Sequence, residues 1–279
     1  MTTELSRRSF IAAAGAATVA AGALSARGGE FTGRIRKAVK YGMIQEEIPV
    51  EDKFRLLQDL GYDGVELTMG DDVEPAAAAA AREKTGLPIH GVVLGSVNGI
   101  DAAVDRAVMY GATSVLLVAG RVNEKMPYER NWEETMSAIR AAKAHAAEQK
   151  IDLLVENVWN NFLMSPLEMR YYIDEIGGIG VYLDLGNMVR FGWPEHWIPV
   201  LGHRVGKLDI KEYSREKQNN EGLWKGFDVK IGEGSVDWAA VRTELKKINY
   251  SGWATAEVGG GDRTRLADIA ARMDRVLDL

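Results

Sequence analysis

A single (β/α)8 barrel is the fold that this chain predicts, on three observations. Short apolar runs alternate eight times with segments of helical character, the order expected of a parallel sheet with helices between its strands. The runs are continuously apolar, as strands buried on both faces are. About 253 residues follow a 26-residue leader, close to the ~250 of one such barrel. No Pro/Ser linker, long charge run or short repeat divides them, so residues 27–279 read as one domain.

The elements follow in order. Val39 to Ile44 reads as strand one, with a loop at Gln45 to Pro49. Phe54, Leu56, Leu57 and Leu60 then recur at helical spacing, and Gly61 ends that helix. Strand two is Gly64 to Leu67, followed by an Ala-rich helix over Glu74 to Thr85 that stops at Gly86. Strand three is Pro88 to Leu94 and its helix Gly99 to Tyr110; strand four is Ser114 to Ala119 and its helix Trp132 to Gln149. Strand five is Asp152 to Glu156, with a helix over Ser165 to Ile176. Strand six is Gly180 to Asp184, with a short helix over Pro194 to Leu201. Strand seven is Val205 to Lys211, followed by a long polar loop to Lys230 and a helix over Val236 to Ile248. Gly252 to Val258 is strand eight, and Asp262 to Leu277 the closing helix. No Gly-x-Gly-x-x-Gly follows strand one, so a dinucleotide-binding fold has little support.

The leader carries its own signal. Ser6-Arg7-Arg8-Ser9-Phe10-Ile11 precedes an Ala/Gly/Val/Leu run that ends near Ala26. This resembles a twin-arginine export signal over residues 1–26, cut between Ser25 and Arg27. Export to the periplasm is the expectation. The run is too short and too rich in Ala and Gly for a stable membrane span. A formal charge of −6, with no basic patch among aromatics, argues against a nucleic-acid partner. With no cysteine, disulfides, thiolate ligands and a cysteine nucleophile are excluded. A homo-oligomer is left open.

Four apolar runs end or break at an acid: Leu153-Leu-Val-Glu156-Asn157, Val181-Tyr-Leu-Asp184-Leu-Gly-Asn187, Val205-Gly-Lys-Leu-Asp209-Ile-Lys211-Glu212 and Trp253-Ala-Thr-Ala-Glu257. One acid at a strand end is more often a helix cap or a solvated loop residue. Four at successive strand ends converge on one face of a closed barrel. There they would repel one another and be costly to bury without a counter-charge. The expectation is a divalent cation held by Glu156, Asp184, Asp209 and Glu257. All-oxygen ligation suits Mg, Mn or Ca rather than structural Zn. Such a cation is a Lewis acid for a hydroxy-ketone, favouring the enediolate left by proton loss. A carboxylate must take that proton and another acid return it. Glu156 and Glu257 are the candidate catalytic pair.

The motifs also carry a resemblance. Leu154-Val-Glu156-Asn157, Tyr182-Leu-Asp184-Leu-Gly-Asn187, Leu208-Asp-Ile-Lys-Glu-Tyr213, Ile231-Gly-Glu-Gly-Ser-Val-Asp-Trp238 and Ala256-Glu257 resemble the sugar phosphate isomerase/epimerase family of xylose-isomerase-like TIM barrels, over the whole chain after the leader. The resemblance implies metal ligands at Glu156, Asp184, position 209 and Glu257, with proton exchange by the two glutamates. The expected cation is Mn, Mg or Co. The chain departs from the pattern twice: position 209 is Asp where the family usually has His, and position 187 is Asn where many relatives have a substrate-touching His.

Substrate-binding candidates complete the site. Glu66 ends strand two, and His90 lies inside strand three. Lys211 shares a strand face with Asp209, where it holds a substrate oxygen or neutralises a carboxylate. Asn187 replaces the family's His. Trp159, Trp193 and Trp224 fall in loops after strands five, six and seven, where flat walls suit the C–H faces of a sugar. Trp238 and Trp253 read as core. Asp262, after Gly259-Gly-Gly261, is a helix cap rather than part of a phosphate grip. Export also points away from phosphorylated sugars.

A divalent-metal isomerase or epimerase acting on a neutral sugar or keto-sugar is therefore expected. A lyase on 3-keto-glycosides is the mechanistic rival, and an exported, non-catalytic sugar-binding protein is the alternative of another class. Metal-assisted endonuclease chemistry fits poorly with four histidines and a negative charge.

Overall fold

In the computed structural model, which describes residues 28–279, eight parallel strands close in sequence order, each hydrogen-bonded to the next and the eighth to the first. The strands are β1 (Ile35–Lys40), β2 (Gly64–Thr68), β3 (Ile89–Val93), β4 (Ser114–Leu117), β5 (Asp152–Glu156), β6 (Gly180–Asp184), β7 (Val205–Ile210) and β8 (Gly252–Ala256). The helices are α1 (Val50–Asp59), α2 (Pro75–Thr85), α3 (Ile100–Tyr110), α4 (Tyr128–Glu148), α5 (Pro166–Ile176), α6 (Pro194–Leu201), α7 (Arg215–Glu221), α8 (Trp238–Lys247) and α9 (Arg263–Leu277). The single (β/α)8 barrel is the fold observed. The leader over 1–26 lies outside the described residues. Among those described, no helix is long and apolar enough to cross a membrane.

Local chemistry sets the helix ends. Gly86 and Gly111 close α2 and α3 in the left-handed region (φ 75° and 62°), where an L side chain is strained. Ser165 and Glu168 cap α5 reciprocally, and Asp262 caps α9 through the Arg265 N–H. Apolar faces of the helices and the outward faces of the strands form one core, with Trp238 buried in it.

Two elements differ from the sequence expectation. The first strand is Ile35–Lys40, and Tyr41–Met43 is a 3-10 turn. Arg36 and Lys37 disguise this strand. Arg36 stacks on the Trp253 ring at 4.1 Å, and Lys37 pairs with Asp274 at 2.5 Å, so both charges are absorbed at the lower end of the barrel. The strand shift puts Lys40 at the upper, C-terminal end of β1. The second difference lies after β7. The stretch read as a polar loop folds into α7, capped by Ser214, and a 3-10 turn over Leu223–Phe227.

The barrel interior is largely polar. A small apolar cluster of Leu116, Leu154 and Tyr182 fills part of it. Around it runs a buried hydrogen-bonded ladder. Lys207 donates to the His90 carbonyl (2.6 Å) and lies 3.0 Å from His90 Nδ1. His90 Nε2 meets Thr255 (3.1 Å), Thr255 meets Tyr182 (2.9 Å), and Tyr182 donates to Glu66 (3.0 Å). Each side chain of the ladder finds at least one partner, which makes its burial tolerable, while Glu66 Oε1 accepts no hydrogen bond. Gly91 makes room for the Glu66 carboxylate: a Cβ there would stand 2.4 Å from Glu66 Oε1.

Candidate metal centre and sugar site

The register of the last four strands brings the acids together. Glu156 pairs with Tyr182, Asp184 with Asp209, and Asp209 with Thr255; Glu257 lies two residues beyond Thr255. Equal parity turns all four side chains inward at the upper end. Glu156, Asp184, Asp209 and Glu257 each offer an oxygen, and these lie within 4.8 Å of one another. Asp184 is the most firmly held. Its Oδ1 accepts from the N–H groups of Gly186 (2.8 Å) and Asn187 (2.7 Å), and Asn157 clamps its backbone on both sides. Its Oδ2 therefore faces the cluster.

Two lysines reach into this group. Lys40 donates to Glu66 (2.5 Å) and Asp209 (3.1 Å), tying the upper acids to the interior ladder. Lys211 lies 2.9 Å from Asp184 and 3.2 Å from Glu257. Five carboxylates, counting Glu66, thus face two ammoniums. The imbalance shows in the protonation of the acids. Burial, then the charges of Glu257 and Asp184, push the Glu156 carboxyl well above its ordinary range. Burial also raises Asp209, only partly opposed by Lys40, and raises Asp184 against the pull of Lys211. Burial acts upward on Glu257 too, but Lys211 and Lys40 outweigh it and hold that carboxyl low. For Lys40, burial is overcome by Asp209 and Glu66, and the ammonium is held well above its usual value.

These residues fit a divalent cation. Asp184 Oδ2 and Asp209 Oδ1 are buried and accept no hydrogen bond, receiving only the off-line ion pairs of Lys211 and Lys40. The excess of negative charge is what a divalent ion would neutralise, and the oxygen donors suit hard cations.

Above the acids opens a cavity of about 1150 Å³. Asn187, Lys211 and Glu257 form its floor, and Trp159, Trp224 and Phe227 line one wall. Asn187 joins floor to wall. Its amide donates to Glu156 (3.3 Å) and to the Asn157 carbonyl (3.1 Å), and its own carbonyl accepts from Trp159 Nε1 (2.7 Å).

The structure gathers Glu156, Asp184, Asn187, Asp209, Lys211 and Glu257 at one centre, with Trp159 and Trp224 beside it. Glu66 and His90 are placed elsewhere. Both are buried inside the barrel below the acids and do not line the cavity. His90 stacks on Trp253 at 4.4 Å and stays neutral, since burial and then Lys207 press its pKa down. Trp193 packs on His196 and Arg215 instead of the cavity wall. Sequence reasoning missed Lys40, hidden by the misplaced first strand. It also missed Asn157 and Phe227: the first stands next to Glu156 in an already suspect motif, and the second follows Trp224 by three residues.

Comparison with known proteins agrees with this architecture. In Haemophilus influenzae, a protein provisionally named an L-ribulose-5-phosphate 3-epimerase, SgbU, is 26% identical over 160 residues, 55% of this chain and 54% of that protein. The chain thus matches about half the length of this curated relative. Among solved structures, the E. coli 3-keto-D-glucoside 4-epimerase YcjR superposes with a TM-score of 0.68 at 14% identity, covering 87% of this chain and 98% of that one. The Methylomonas sp. D-allulose 3-epimerase, solved with D-allulose, gives 0.69 at 18%, covering 87% and 96%. A family model, the xylose isomerase-like TIM barrel, matches residues 54–276. With the barrel closed, four acids at the ends of β5 to β8 and this match across most of its length, the chain belongs to the xylose isomerase-like TIM barrel family.

Proposed function

We propose that this chain is a sugar isomerase or epimerase that moves a proton on the carbon next to a carbonyl, through an enediolate, in a neutral sugar or keto-sugar. One observation carries the reading. Glu156 and Glu257 stand, with Asp184 and Asp209, in one four-carboxylate cluster beneath the cavity. Two carboxylates brought from different strands to one centre are suited to the roles of proton donor and proton acceptor.

Each residue then has a task. Of Glu156 and Glu257, one takes the proton from the carbon next to the carbonyl. The other returns it to the substrate. Asn187 fixes Glu156 by its 3.3 Å contact and offers its side-chain oxygen to the cavity floor. Lys211 donates hydrogen bonds to substrate oxygen. Asp184 and Asp209, with the two glutamates, would hold a divalent cation such as Mn, Mg or Co, which when bound supplies Lewis-acid polarisation of the carbonyl. The relatives named as sugar epimerases support this class of reaction. The paired-arginine leader supports action after export, in the periplasm.

A second reading is supported by the size of the cavity. The same proton removal on a 3-keto-glycoside, followed by loss of the glycosidic group, makes a lyase. Incubation with Mn in D2O separates the outcomes. A ketose such as D-allulose or L-ribulose, or a 3-keto-glucoside, is expected to gain one deuteron next to its carbonyl. Glu156→Gln and Glu257→Gln should each slow this at least about 100-fold. Release of aglycone together with an unsaturated sugar would select the lyase. No exchange with any of these sugars, in protein shown to hold metal, would remove the enzymatic reading and favour a sugar-binding protein.

A further inference from the structure

We infer that the cavity holds a second subsite, for a flat ring attached to the reacting sugar, built by Trp159, Trp224 and Phe227. The inference rests on the proposed function for the place of the sugar ring, next to Glu156 and Glu257.

The space is the first argument. About 1150 Å³ exceeds the roughly 300–1,000 Å³ of cavities that take drug-sized ligands, and one hexose is smaller than such a ligand. The four clustered acids lie together, so a single sugar held against them does not fill this volume.

The wall is the second argument. Trp159 and Trp224 have ring centres 4.9 Å apart, Trp159 and Phe227 also 4.9 Å, and Trp224 and Phe227 6.4 Å, with interplanar angles of 30–41°. Together they form a tilted aromatic shelf. Trp224 is 68% exposed. An exposed tryptophan alone needs no explanation. This one is continuous with two other rings on the concave side of the molecule, where a flat ligand face would cover it.

The attachment of the shelf is the third. Trp159 is bolted by its indole N–H to the Asn187 carbonyl, and the Asn187 amide touches Glu156. The Lys211 ammonium lies 5.8 Å from the centre of the Phe227 ring while also pairing with Asp184 and Glu257. The shelf therefore starts one side chain from the acids. A ring bonded to the sugar can reach it without leaving the reacting end. A glycoside, carrying an aromatic aglycone or the C–H face of a second pyranose, has the required shape.

The test uses the metal-loaded protein and three 3-keto-glucosides differing only in the glycosidic group: methyl, phenyl and glucosyl. Calorimetric titration gives their affinities, and deuterium uptake is followed in the same samples. The expected result is phenyl or glucosyl bound about tenfold tighter than methyl, with that ratio falling to near one in Trp224→Ala and largely restored in Trp224→Phe. Preference for phenyl identifies an aromatic aglycone, and preference for glucosyl a second sugar. Equal affinity for all three in the wild type, or a preference that survives Trp224→Ala, overturns the subsite. The two proposals fail separately. A Trp224-dependent preference without deuterium uptake keeps the subsite and sinks the enzymatic reading. Uptake on the methyl compound without any preference does the reverse.

Discussion

Glu156 shows how a single carboxyl couples the site to stability. Its pKa in the folded protein lies well above the ordinary 4.5, because it is buried and faces Glu257 and Asp184. Between those two values the folded chain holds a proton that the unfolded chain has released. Unfolding stability therefore falls as pH rises through that window, having been fully present below it. Asp184 and Asp209 are raised for similar reasons and add to the slope, whereas Glu257 is held low and titrates beneath it. Thermal unfolding in chelator should show the melting temperature falling as pH rises above the ordinary carboxylate range, with a shallower fall in Glu156→Gln. An equal slope in the variant would mean that Glu156 is not the strained acid. Lys40 is the internal cation between Glu66 and Asp209. Its charge offsets part of the negative charge that Asp209 brings to the cluster.

At the scale of elements, β7 and the segment after it do two separate jobs with neighbouring residues. Lys211 points to the acids. Glu212, next in sequence, is buried and accepts hydrogen bonds from the N–H groups of Gly232 (2.9 Å) and Val236 (3.1 Å) and from Trp238 Nε1 (2.9 Å). It hangs the whole Ile231–Trp238 turn on the end of the strand. Gly234 fits against it so closely that a Cβ would lie 2.5 Å from its Oε1. Glu212→Ala would leave those buried donors unsatisfied and should cost about 3 kcal/mol in urea denaturation. A loss below about 1 kcal/mol would show that water or a rearranged turn replaces the carboxylate. The motif around Asp209 thus includes an acid whose task is structural, and only its hydrogen bonds distinguish it from the others.

For the whole molecule, the consequence is linkage between fold and ion. The four ligands come from four strands, so a cation binds the closed barrel and has no comparable site in the unfolded chain. Mn at 100 times its dissociation constant should therefore add about 2.7 kcal/mol of stability, and the pH slope of the metal-free protein should flatten. Stability indifferent to Mn, Mg and Co would count against a cation at this centre. The interior ladder below the acids behaves differently. Lys207, whose pKa is lowered to about 8 by burial, is satisfied by His90 and is separated from the cavity by the acid layer.

The sequence by itself determined the barrel, its strand count and the four acids, because a strand buried on both faces leaves a continuous apolar run and an acid ending it stands out. It also determined the cap at Asp262 and the burial of Trp238 and Trp253. Tertiary structure decided the rest, since it depends on what each charge meets across the barrel. Arg36 and Lys37 look like solvent residues in the sequence, yet one stacks on Trp253 and the other pairs with Asp274, and that moves β1 and brings Lys40 to the site. From the sequence Glu66 is expected to end strand two, but it sits at the middle of β2, with Leu67 and Thr68 beyond it, and Lys40 and Tyr182 hold it inside the barrel. The aromatic shelf joins a residue after β5 to two after β7, a contact between loops that no local periodicity encodes.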